Sequence, residues 1–337
     1  MTSLHTHIQA MRTSIIFIIL TLNALAGPVI IAHRGASGEL PEHTLAAKAA
    51  AHAQGAHYIE QDVVLTKDDI PVVLHDIHVD SVSDVARAFP GRQREDGRYY
   101  ALDFTLAELQ TLQLTERFDY KTGKPVYPKR FPLWKSSFRI VTLEEELELI
   151  EGLNLSTGRQ TGIYPEIKQP KWHRQQGRDI SAIVLALLHQ HGYKTKSDPC
   201  WLQCFEWEEV LRIRKELKWE GKLLLLLGGG MVGKDGTPYA HFRTATGMAE
   251  ASQVVDGLGP DLGSIVKGRT PTDLTLTDFI PLAHQSGLQV HPYTLRLDDL
   301  PKTFRSFDEG LDVLLNQAKA DGLFTDHPGP AMQWLQR

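Results

Sequence analysis

Cysteine, basic clusters and long apolar segments are scarce in this sequence, and each scarcity argues against a class of protein. Only two of the 337 residues are cysteine, which excludes a disulfide-stabilised scaffold and a zinc site with several thiolate ligands. Cys200 and Cys204 lie in a stretch predicted to be extended, which holds them about 13 Å apart, beyond the roughly 7 Å reach of a disulfide. The net charge is a mild −5 and no run of Lys or Arg stands out, which argues against non-specific nucleic-acid binding.

The N-terminus carries an apolar run that is typical of a secretory signal. A basic residue precedes the apolar residues 15–20, and Ala24-Leu25-Ala26 has the small-x-small pattern of a cleavage site. The run is too short to cross a bilayer comfortably, so a membrane anchor is the weaker alternative. We expect a signal peptide over residues 1–26 and a mature chain over 27–337, periplasmic or secreted and without stable membrane insertion.

The mature chain alternates between segments typical of strands and of helices. Its hydrophobic content of 42% is ordinary for a globular protein and provides a large core. Two average domains or one large barrel would both account for the length. The alternation favours one α/β domain, a (β/α)₈ TIM barrel with a parallel sheet inside and helices outside. The predicted barrel strands are 29–32, 58–64, 162–167, 201–205, 223–227, 253–258, 288–292 and 322–325.

Residues 77–141 interrupt the alternation. The segment is polar and rich in Arg, Gly, Pro and Tyr, and a stretch of this length inside a compact domain is uncommon unless it is functional. Because it follows the second barrel strand and a short strand predicted at 71–74, we expect a cap over the catalytic end of the barrel. A partly disordered excursion is the alternative. Five aromatic residues are expected to form a small core within the cap: Phe104, Phe118, Tyr120, Phe131 and Trp134.

Charged residues gather where predicted strands end. In barrel enzymes the catalytic residues come from such strand ends. Two of the segments place charged residues at i and i+2, and in a strand both side chains then point to the same face. The segments are His33-Arg34-Gly35, Glu60-Gln61-Asp62, His75-Asp76 and Glu166-Ile167-Lys168.

These segments predict a metal ion and an anionic substrate. Glu60, Asp62 and Glu166 offer hard oxygen ligands, which suit Ca²⁺ best and Mg²⁺ second. A buried salt-bridge network with Arg34 and Lys168 is the alternative, but it would leave excess negative charge in the interior. In the metal site, Arg34 would offer a fork-shaped contact to phosphate oxygens and Lys168 a compact charge.

Two histidines are the candidate general acid and base. Imidazole titrates near neutral pH, so one of His33 and His75 can accept a proton while the other donates one. A single histidine at a strand end is more often structural, but here two of them frame a pair of carboxylates. The spacing leaves open which is the acid and which is the base.

Longer motifs around these residues resemble the signature of glycerophosphodiester phosphodiesterases. The resemblance covers almost the whole mature chain and is closest to the periplasmic bacterial enzymes. It implies a TIM barrel with a cap inserted after the second strand. It also implies a small-molecule substrate, because these enzymes hydrolyse deacylated phospholipids to sn-glycerol 3-phosphate and an alcohol. The matching motifs are His33-Arg34-Gly35-Ala36, Pro41-Glu42-His43-Thr44, Glu60-Gln61-Asp62, Leu74-His75-Asp76, Tyr164-Pro165-Glu166-Ile167-Lys168, Leu202-Gln203-Cys204-Phe205, His291-Pro292-Tyr293-Thr294 and Leu323-Phe324-Thr325-Asp326.

The resemblance also implies a role for each matched residue. Packing is an alternative role for Phe205. The implied roles are acid-base catalysis for His33 and His75, metal binding for Glu60, Asp62 and Glu166, phosphate contact for Arg34 and Lys168, ordering of a loop for Glu42 and His43, and contact with glycerol or phosphate for Gln203, Phe205 and Tyr293.

Two other functions fit parts of the pattern. A phosphoinositide-cleaving or sphingomyelinase-D-like enzyme uses similar histidines and a metal, but it acts on intact lipids and needs a membrane-docking rim. The sequence shows no exposed amphipathic stretch to supply one. A secreted binding protein on a catalytically dead barrel would have lost part of the charged set, whereas all of it is present. The pattern leaves the number of subunits open.

Overall fold

The computed structural model describes residues 27–337, so the predicted signal peptide over residues 1–26 lies outside the described residues. Strands and helices alternate through most of this range. The strands are β1 (Val29–Ala32), β2 (Tyr58–Leu65), β3 (Pro71–Val73), β4 (Gly162–Ile167), β5 (Trp201–Cys204), β6 (Lys222–Leu227), β7 (Gly257–Pro260), β8 (Val266–Lys267), β9 (Thr275–Leu276), β10 (Gln289–Val290) and β11 (Gly322–Thr325).

The helices lie between the strands and cover the outside of the sheet. Short 3₁₀ turns at Ala101–Asp103 and His241–Arg243 and a π-helical turn at Asp312–Gln317 complete the regular structure of the described residues. The α-helices are α1 (Leu45–Ala53), α2 (Val85–Ala88), α3 (Leu106–Leu109), α4 (Leu143–Thr157), α5 (Pro170–Gln175), α6 (Ile180–Gln190), α7 (Trp207–Lys215), α8 (Ala245–Ala251), α9 (Leu262–Ile265), α10 (Phe279–Gln285), α11 (Phe307–Leu311) and α12 (Pro328–Leu335).

Eight strands form one parallel sheet that closes on itself. They follow the order β10, β7, β6, β5, β4, β2, β1 and β11, and β3 pairs with β2 in the antiparallel direction. The chain after β10 closes the ring: the Phe324 amide donates to the Pro292 carbonyl and the Leu295 amide to the Phe324 carbonyl, both at 3.0 Å. The predicted (β/α)₈ TIM barrel is thus confirmed.

One predicted strand lies elsewhere. The sequence predicts the sixth barrel strand at 253–258, whereas β7 spans Gly257–Pro260. The amides of Val254 and Val255 both donate to the Ala251 carbonyl, because the chain turns back as α8 ends. These valines resemble a strand in composition, but their backbone groups are engaged in this turn.

A buried cluster fills the barrel and supports the residues above it. Alternate residues of each strand point inward, and the others pack against the helices. Tyr164 stands at the centre of the inward set, and its hydroxyl lies 2.7 Å from His291 Nδ1. The inward cluster contains Ile31, Tyr164, Trp201, Leu224, Leu226 and Phe324.

Residues 77–141, which we call the insertion, have a core of their own, but not the predicted one. Of the five expected aromatic residues only Phe104 is part of this core, and Tyr120 and Trp134 are 40% and 42% exposed. Mainly aliphatic side chains form this core, together with Phe104 and Tyr99, and it packs on Val64 of β2 and Val72 of β3. The insertion's aliphatic core residues are Ile77, Val79, Val82, Val85, Leu109, Leu112, Leu114 and Ile140.

Two further observations concern the cysteines and the helices. Cys200 and Cys204 are both buried and free, as the extended stretch predicts. Among residues 27–337, no helix is long and apolar enough to cross a bilayer.

Candidate active site

A pocket of about 380 Å³ opens at the carboxyl end of the barrel strands. It is here that barrel enzymes place their catalytic groups. Of the predicted site residues, Glu42 and His43 do not line the pocket. Those that do are His33, Arg34, Glu60, Asp62, His75, Glu166, Lys168, Gln203, Phe205 and Tyr293.

The loop after β1 is held in an unusual conformation that brings its side chains to the pocket. Arg34 has a positive φ of 59° and Gly35 follows at 89°. A Cβ at Gly35 would lie 2.8 Å from the carbonyl carbon of Ala47 in α1, so only glycine allows the loop to approach the helix this closely. The Arg34 amide then donates to Glu60 Oε2 at 2.9 Å, which ties the loop to β2.

Three buried carboxylates meet on two adjacent strands. Glu60 and Asp62 lie on β2, and the register of β2 with β4 places Asp62 beside Glu166. One oxygen of each carboxylate lies within 4.8 Å of the others. The i, i+2 spacing and the parallel register therefore produce a compact set of hard oxygen donors.

This carboxylate set fits a divalent cation. Burial, together with the neighbouring charges of Asp62 and Glu166, raises the pKa of Glu60 well above its usual value. Burial also raises the pKa of Glu166 to about 8. Asp62 Oδ1 is buried and has no hydrogen-bond partner. A hard cation would neutralise this concentrated negative charge and would bind the Asp62 oxygen that lacks a hydrogen bond.

Two basic side chains lie against the carboxylates. Lys168 Nζ is 2.6 Å from Glu166 Oε1 and 3.5 Å from Asp62 Oδ1. Burial alone would lower the pKa of Lys168, but these two carboxylates raise it above its usual value. Arg34 Nη1 donates to Glu42 Oε2 at 2.8 Å, whereas its buried Nε has no hydrogen-bond partner. The salt bridges predicted as the alternative to a metal site are present, but Asp62 Oδ1 meets Lys168 Nζ only at 3.5 Å and makes no hydrogen bond.

Each candidate catalytic histidine is held by an aspartate. His33 Nδ1 lies 2.5 Å from Asp326 Oδ1, and His75 Nδ1 lies 2.9 Å from Asp76 Oδ1. A carboxylate can only accept here, so each Nδ1 carries the proton and each Nε2 has a free lone pair when the ring is neutral. Burial and nearby cations lower the pKa of both imidazoles to about 4, so both are neutral at pH 7.

The remaining predicted residues are anchored by different contacts. Gln203 Nε2 donates to Glu60 Oε1 at 2.9 Å, and the Tyr293 hydroxyl donates to the Leu227 carbonyl at 3.0 Å. Phe205 packs edge-on to Tyr293, with ring centres 5.9 Å apart. Tyr293 and Phe205 therefore present ring surface to the pocket, which leaves both packing and substrate contact open to them.

Glu42 and His43 stand behind the pocket rather than in it. His43 Nε2 is 2.7 Å from Asp62 Oδ2, and Glu42 accepts from Arg34. Each contact holds a residue that lines the pocket, and ordering of the loop stays the predicted role of both.

Comparison with known proteins places this site in a family. The model of the "Glycerophosphoryl diester phosphodiesterase family" matches residues 33–330. A glycerophosphodiester phosphodiesterase of Haemophilus influenzae is 44% identical over 91% of this chain and 90% of its own length. One of Treponema pallidum is 38% identical over 95% of both chains. This chain belongs to the glycerophosphoryl diester phosphodiesterase family. The predicted resemblance is confirmed, and with it the class of enzyme, a phosphoric diester hydrolase.

Solved structures of phosphodiesterases have the same fold. A phosphodiesterase of Oleispira antarctica "in complex with the product sn-glycerol-3-phosphate" aligns with a TM-score of 0.62 at 21% identity, covering 92% of this chain and 97% of that one. A putative family member of Silicibacter pomeroyi aligns with a TM-score of 0.69 at 22% identity over 92% and 93%. At these identities the likeness shows the shared barrel.

Sequence reasoning missed several groups of this phosphodiesterase site. Asp326 and Asp76 lie inside the motifs that carry the family resemblance. Asp326 directly follows β11, so the rule that strand ends carry functional residues would have found it. Three arginines hold these aspartates. Arg130 Nη2 and Arg296 Nε donate to Asp326 Oδ2 at 2.6 and 2.7 Å, and Arg117 Nη1 donates to Asp76 Oδ2 at 2.6 Å. Arg117 and Arg130 belong to the irregular insertion, where no local pattern marks them.

Proposed function

We propose that this chain hydrolyses glycerophosphodiesters, the deacylated phospholipids, to sn-glycerol 3-phosphate and an alcohol. The observation that carries the proposal is one pocket in which two aspartate-held histidines flank three buried carboxylates. The Oleispira phosphodiesterase with its sn-glycerol-3-phosphate product supports the product assignment.

A divalent cation belongs to the proposed site, held by Glu60, Asp62 and Glu166. Ca²⁺ is the first candidate, because three carboxylates suit its flexible oxygen coordination, and Mg²⁺ is the second. The cation supplies charge neutralisation for the phosphate and its transition state. The unsatisfied Asp62 Oδ1 and the raised pKa of Glu60 support this assignment.

The chain's own side chains divide the chemistry. Arg34 and Lys168 both line the pocket, and their cationic N–H donors contact phosphate oxygens. One neutral imidazole, of His33 or His75, takes the proton of the nucleophile through its free Nε2. As the bond from phosphorus to the leaving oxygen breaks, the other imidazole gives that oxygen a proton. The negative charge of the bound phosphodiester raises the pKa of this second imidazole, so that its Nε2 takes up from solvent the proton that it later donates.

The nucleophile has two chemically consistent identities. A water molecule would give glycerol 3-phosphate directly. The glycerol 2-hydroxyl would give a cyclic phosphate that water then opens, with the two histidines exchanging roles. A site that recognises the glycerol phosphate half would accept many alcohols, so we propose a broad range of head groups.

The domain division and location complete the proposal. The insertion, residues 77–141, caps the site; its Arg117 and Arg130 reach the aspartates of both histidines. Residues 1–26 act as a signal peptide cleaved near Ala26, and the mature enzyme works in the periplasm or outside the cell.

The test is release of glycerol 3-phosphate from glycerophosphocholine, before and after a calcium chelator and with Ca²⁺ or Mg²⁺ added back. We expect turnover that the chelator stops and Ca²⁺ restores. His33→Ala and His75→Ala should each abolish it, whereas His284→Ala, a histidine on the exposed side of α10, should not. Turnover that survives both chelation and His33→Ala would contradict the mechanism. Turnover on intact phospholipids alone would favour the lipid-cleaving alternative.

A further inference from the structure

Both catalytic dyads share one arrangement that the proposed chemistry does not use. In each, one carboxylate oxygen of the aspartate holds a histidine Nδ1, and the other oxygen accepts from an arginine of the insertion. For His75 the arginine is Arg117, at 2.6 Å from Asp76 Oδ2. For His33 it is Arg130, at 2.6 Å from Asp326 Oδ2. One irregular segment therefore reaches both histidines through the same chemistry.

The two arginines are themselves immobilised. The side chain of Arg130 is 4% exposed. Its Nε donates to Asp298 Oδ2 at 2.7 Å, and its Nη1 donates to the Ser37 carbonyl at 3.2 Å. Arg117 donates from Nε and Nη2 to the two oxygens of Glu42, which also accepts from Arg34. A planar guanidinium with every nitrogen engaged holds its acceptors in one plane.

We propose that Arg117 and Arg130 are positioning residues, through which the insertion fixes the aspartates that orient His75 and His33. An aspartate held at one oxygen can rotate about its side chain, and the histidine would rotate with it. An arginine on the second oxygen removes that freedom. The proposal rests on the proposed function, because it assumes that these two histidines perform the chemistry.

The two dyads differ in how much they depend on the insertion. Asp326 also accepts from Arg296, which lies in the chain between β10 and β11 and does not belong to the insertion. Among the described residues Arg117 is the only arginine on Asp76, whose side chain is 31% exposed. We therefore expect replacement of Arg117 to cost more activity than replacement of Arg130.

A matched control is available inside the insertion. Arg98 donates to both oxygens of Asp80. The side chain of Arg98 is 19% exposed and that of Arg117 is 16% exposed. Arg98 is thus about as exposed as Arg117 and also pairs with an aspartate, but it touches neither dyad. Arg98→Ala therefore measures what the loss of an ion pair does to the insertion as a structure.

The experiment compares Arg117→Ala, Arg130→Ala and Arg98→Ala for kcat, KM and Tm. For Arg117→Ala we expect kcat to fall about 10- to 100-fold, the usual effect of losing a group that orients a functional one. Methylguanidinium added to Arg117→Ala should restore part of kcat without raising Tm. Arg98→Ala should keep the native kcat.

A spectroscopic measurement makes the outcome independent of turnover. The Nδ1 proton shared by His75 and Asp76 should give a downfield proton NMR signal, assigned by its loss in His75→Ala. Arg117→Ala should shift or broaden that signal, and Arg98→Ala should not. Equal kcat in Arg117→Ala and Arg98→Ala, or an unchanged His75 signal, would overturn the inference. A native protein without diesterase turnover would instead overturn the proposed function, and the NMR result would still decide the positioning role.

Discussion

The proton on the His43 ring is placed by a fully buried lysine. Lys48 Nζ faces the Glu60 carbonyl oxygen, the Glu146 carboxylate at 3.0 Å and His43 Nδ1 at 3.1 Å. Because lysine can only donate, Nδ1 accepts, and the ring proton lies on Nε2, which donates it to Asp62 Oδ2. This contact occupies Oδ2 of Asp62, whereas Oδ1 makes no hydrogen bond and faces Lys168 Nζ at 3.5 Å.

Asp326→Asn tests how far a single hydrogen bond orients His33, a proposed catalytic group. The amide can donate to His33 Nδ1, which favours the tautomer with the proton on Nε2 and removes the lone pair from the pocket. We expect kcat to fall about 100-fold or more while the fold is retained. Steady-state kinetics and circular dichroism measure the two quantities. Asp256→Asn is the control, since Asp256 also accepts from an arginine, Arg214, but touches neither His33 nor Arg130. An Asp326→Asn enzyme with native kcat would show that this aspartate does not set the tautomer.

At the scale of elements, strand register decides which charges meet. The pairing of β2 with β4 sets Asp62 beside Glu166, and the pairing of β4 with β5 sets Glu166 beside Gln203. A register slip of one residue would turn the side chains of a strand to the opposite face of the sheet. The carboxylate set therefore depends on the same backbone hydrogen bonds that hold the barrel together.

The ion pair between α1 and α4 yields a prediction at this scale. Lys48 and Glu146 are both fully buried, so Lys48→Met would leave a carboxylate without its partner. We expect a loss of roughly 3–5 kcal/mol in the free energy of unfolding. The double variant Lys48→Met, Glu146→Leu should recover most of it, because two apolar side chains replace the pair. Urea denaturation of the single and double variants measures both values, and a double variant as unstable as the single one would contradict the prediction.

The same double variant separates stability from activity. It should fold well and still turn over slowly, since His43 Nδ1 no longer has the donor that sets its tautomer. Native kcat in the double variant would mean that His43 orients Asp62 without help from Lys48.

At the scale of the whole molecule, a bound cation should stabilise the fold by mass action. Binding to the folded state alone adds about 2.7 kcal/mol when the free ion is at a hundred times its Kd. We expect the Tm of the native protein to rise with Ca²⁺ and that of Glu166→Gln to stay constant. Glu206→Gln is the control: Glu206 is also buried, but it lies outside the carboxylate set and binds the Lys171 amide. An equal Tm rise in native protein and Glu166→Gln would place the ion elsewhere.

Acid should destabilise the protein through a histidine outside the site. His173 lies on α5 and is buried against β2. Its Nδ1 donates to the Gln169 carbonyl at 3.0 Å, and its Nε2 accepts from the Leu65 amide at 3.3 Å. Burial lowers the pKa of His173 from 6.5 to about 4 in the folded state. Between these values the unfolded chain binds a proton that the folded chain does not, so stability falls as pH falls through 6.5 and the loss levels off near 4.

His173→Gln should therefore reduce the acid sensitivity. We expect the drop in the free energy of unfolding between pH 7 and pH 5 to shrink by roughly 2 kcal/mol in this variant. Urea denaturation at the two pH values measures the drop. His284→Gln, at an exposed position of α10, is the control and should behave as the native protein does. An unchanged drop in His173→Gln would show that other groups dominate the acid response.

The amino-acid sequence by itself determined the features that depend on near neighbours. The i, i+2 pairs predicted shared faces, the strand ends predicted the pocket edge, and the β/α alternation predicted the barrel. The charged residues His33, Glu60, Asp62, His75 and Glu166 all line one pocket as expected. These inferences hold because strand geometry and hydrophobic periodicity are local properties.

Only the tertiary structure decided which side chains that are distant in sequence form hydrogen bonds at the site. His33 and Asp326 are 293 positions apart, Arg130 and Asp326 are 196 apart, and Arg117 and Asp76 are 41 apart. The first pair meets because the barrel closes β11 against β1, and the others because an irregular segment folds back over the strand ends. No local spacing encodes such contacts, since they depend on where the backbone travels between the partners. The sequence thus determined the candidate reactive groups, and the closure of the barrel together with the path of the insertion decided which distant side chains meet them.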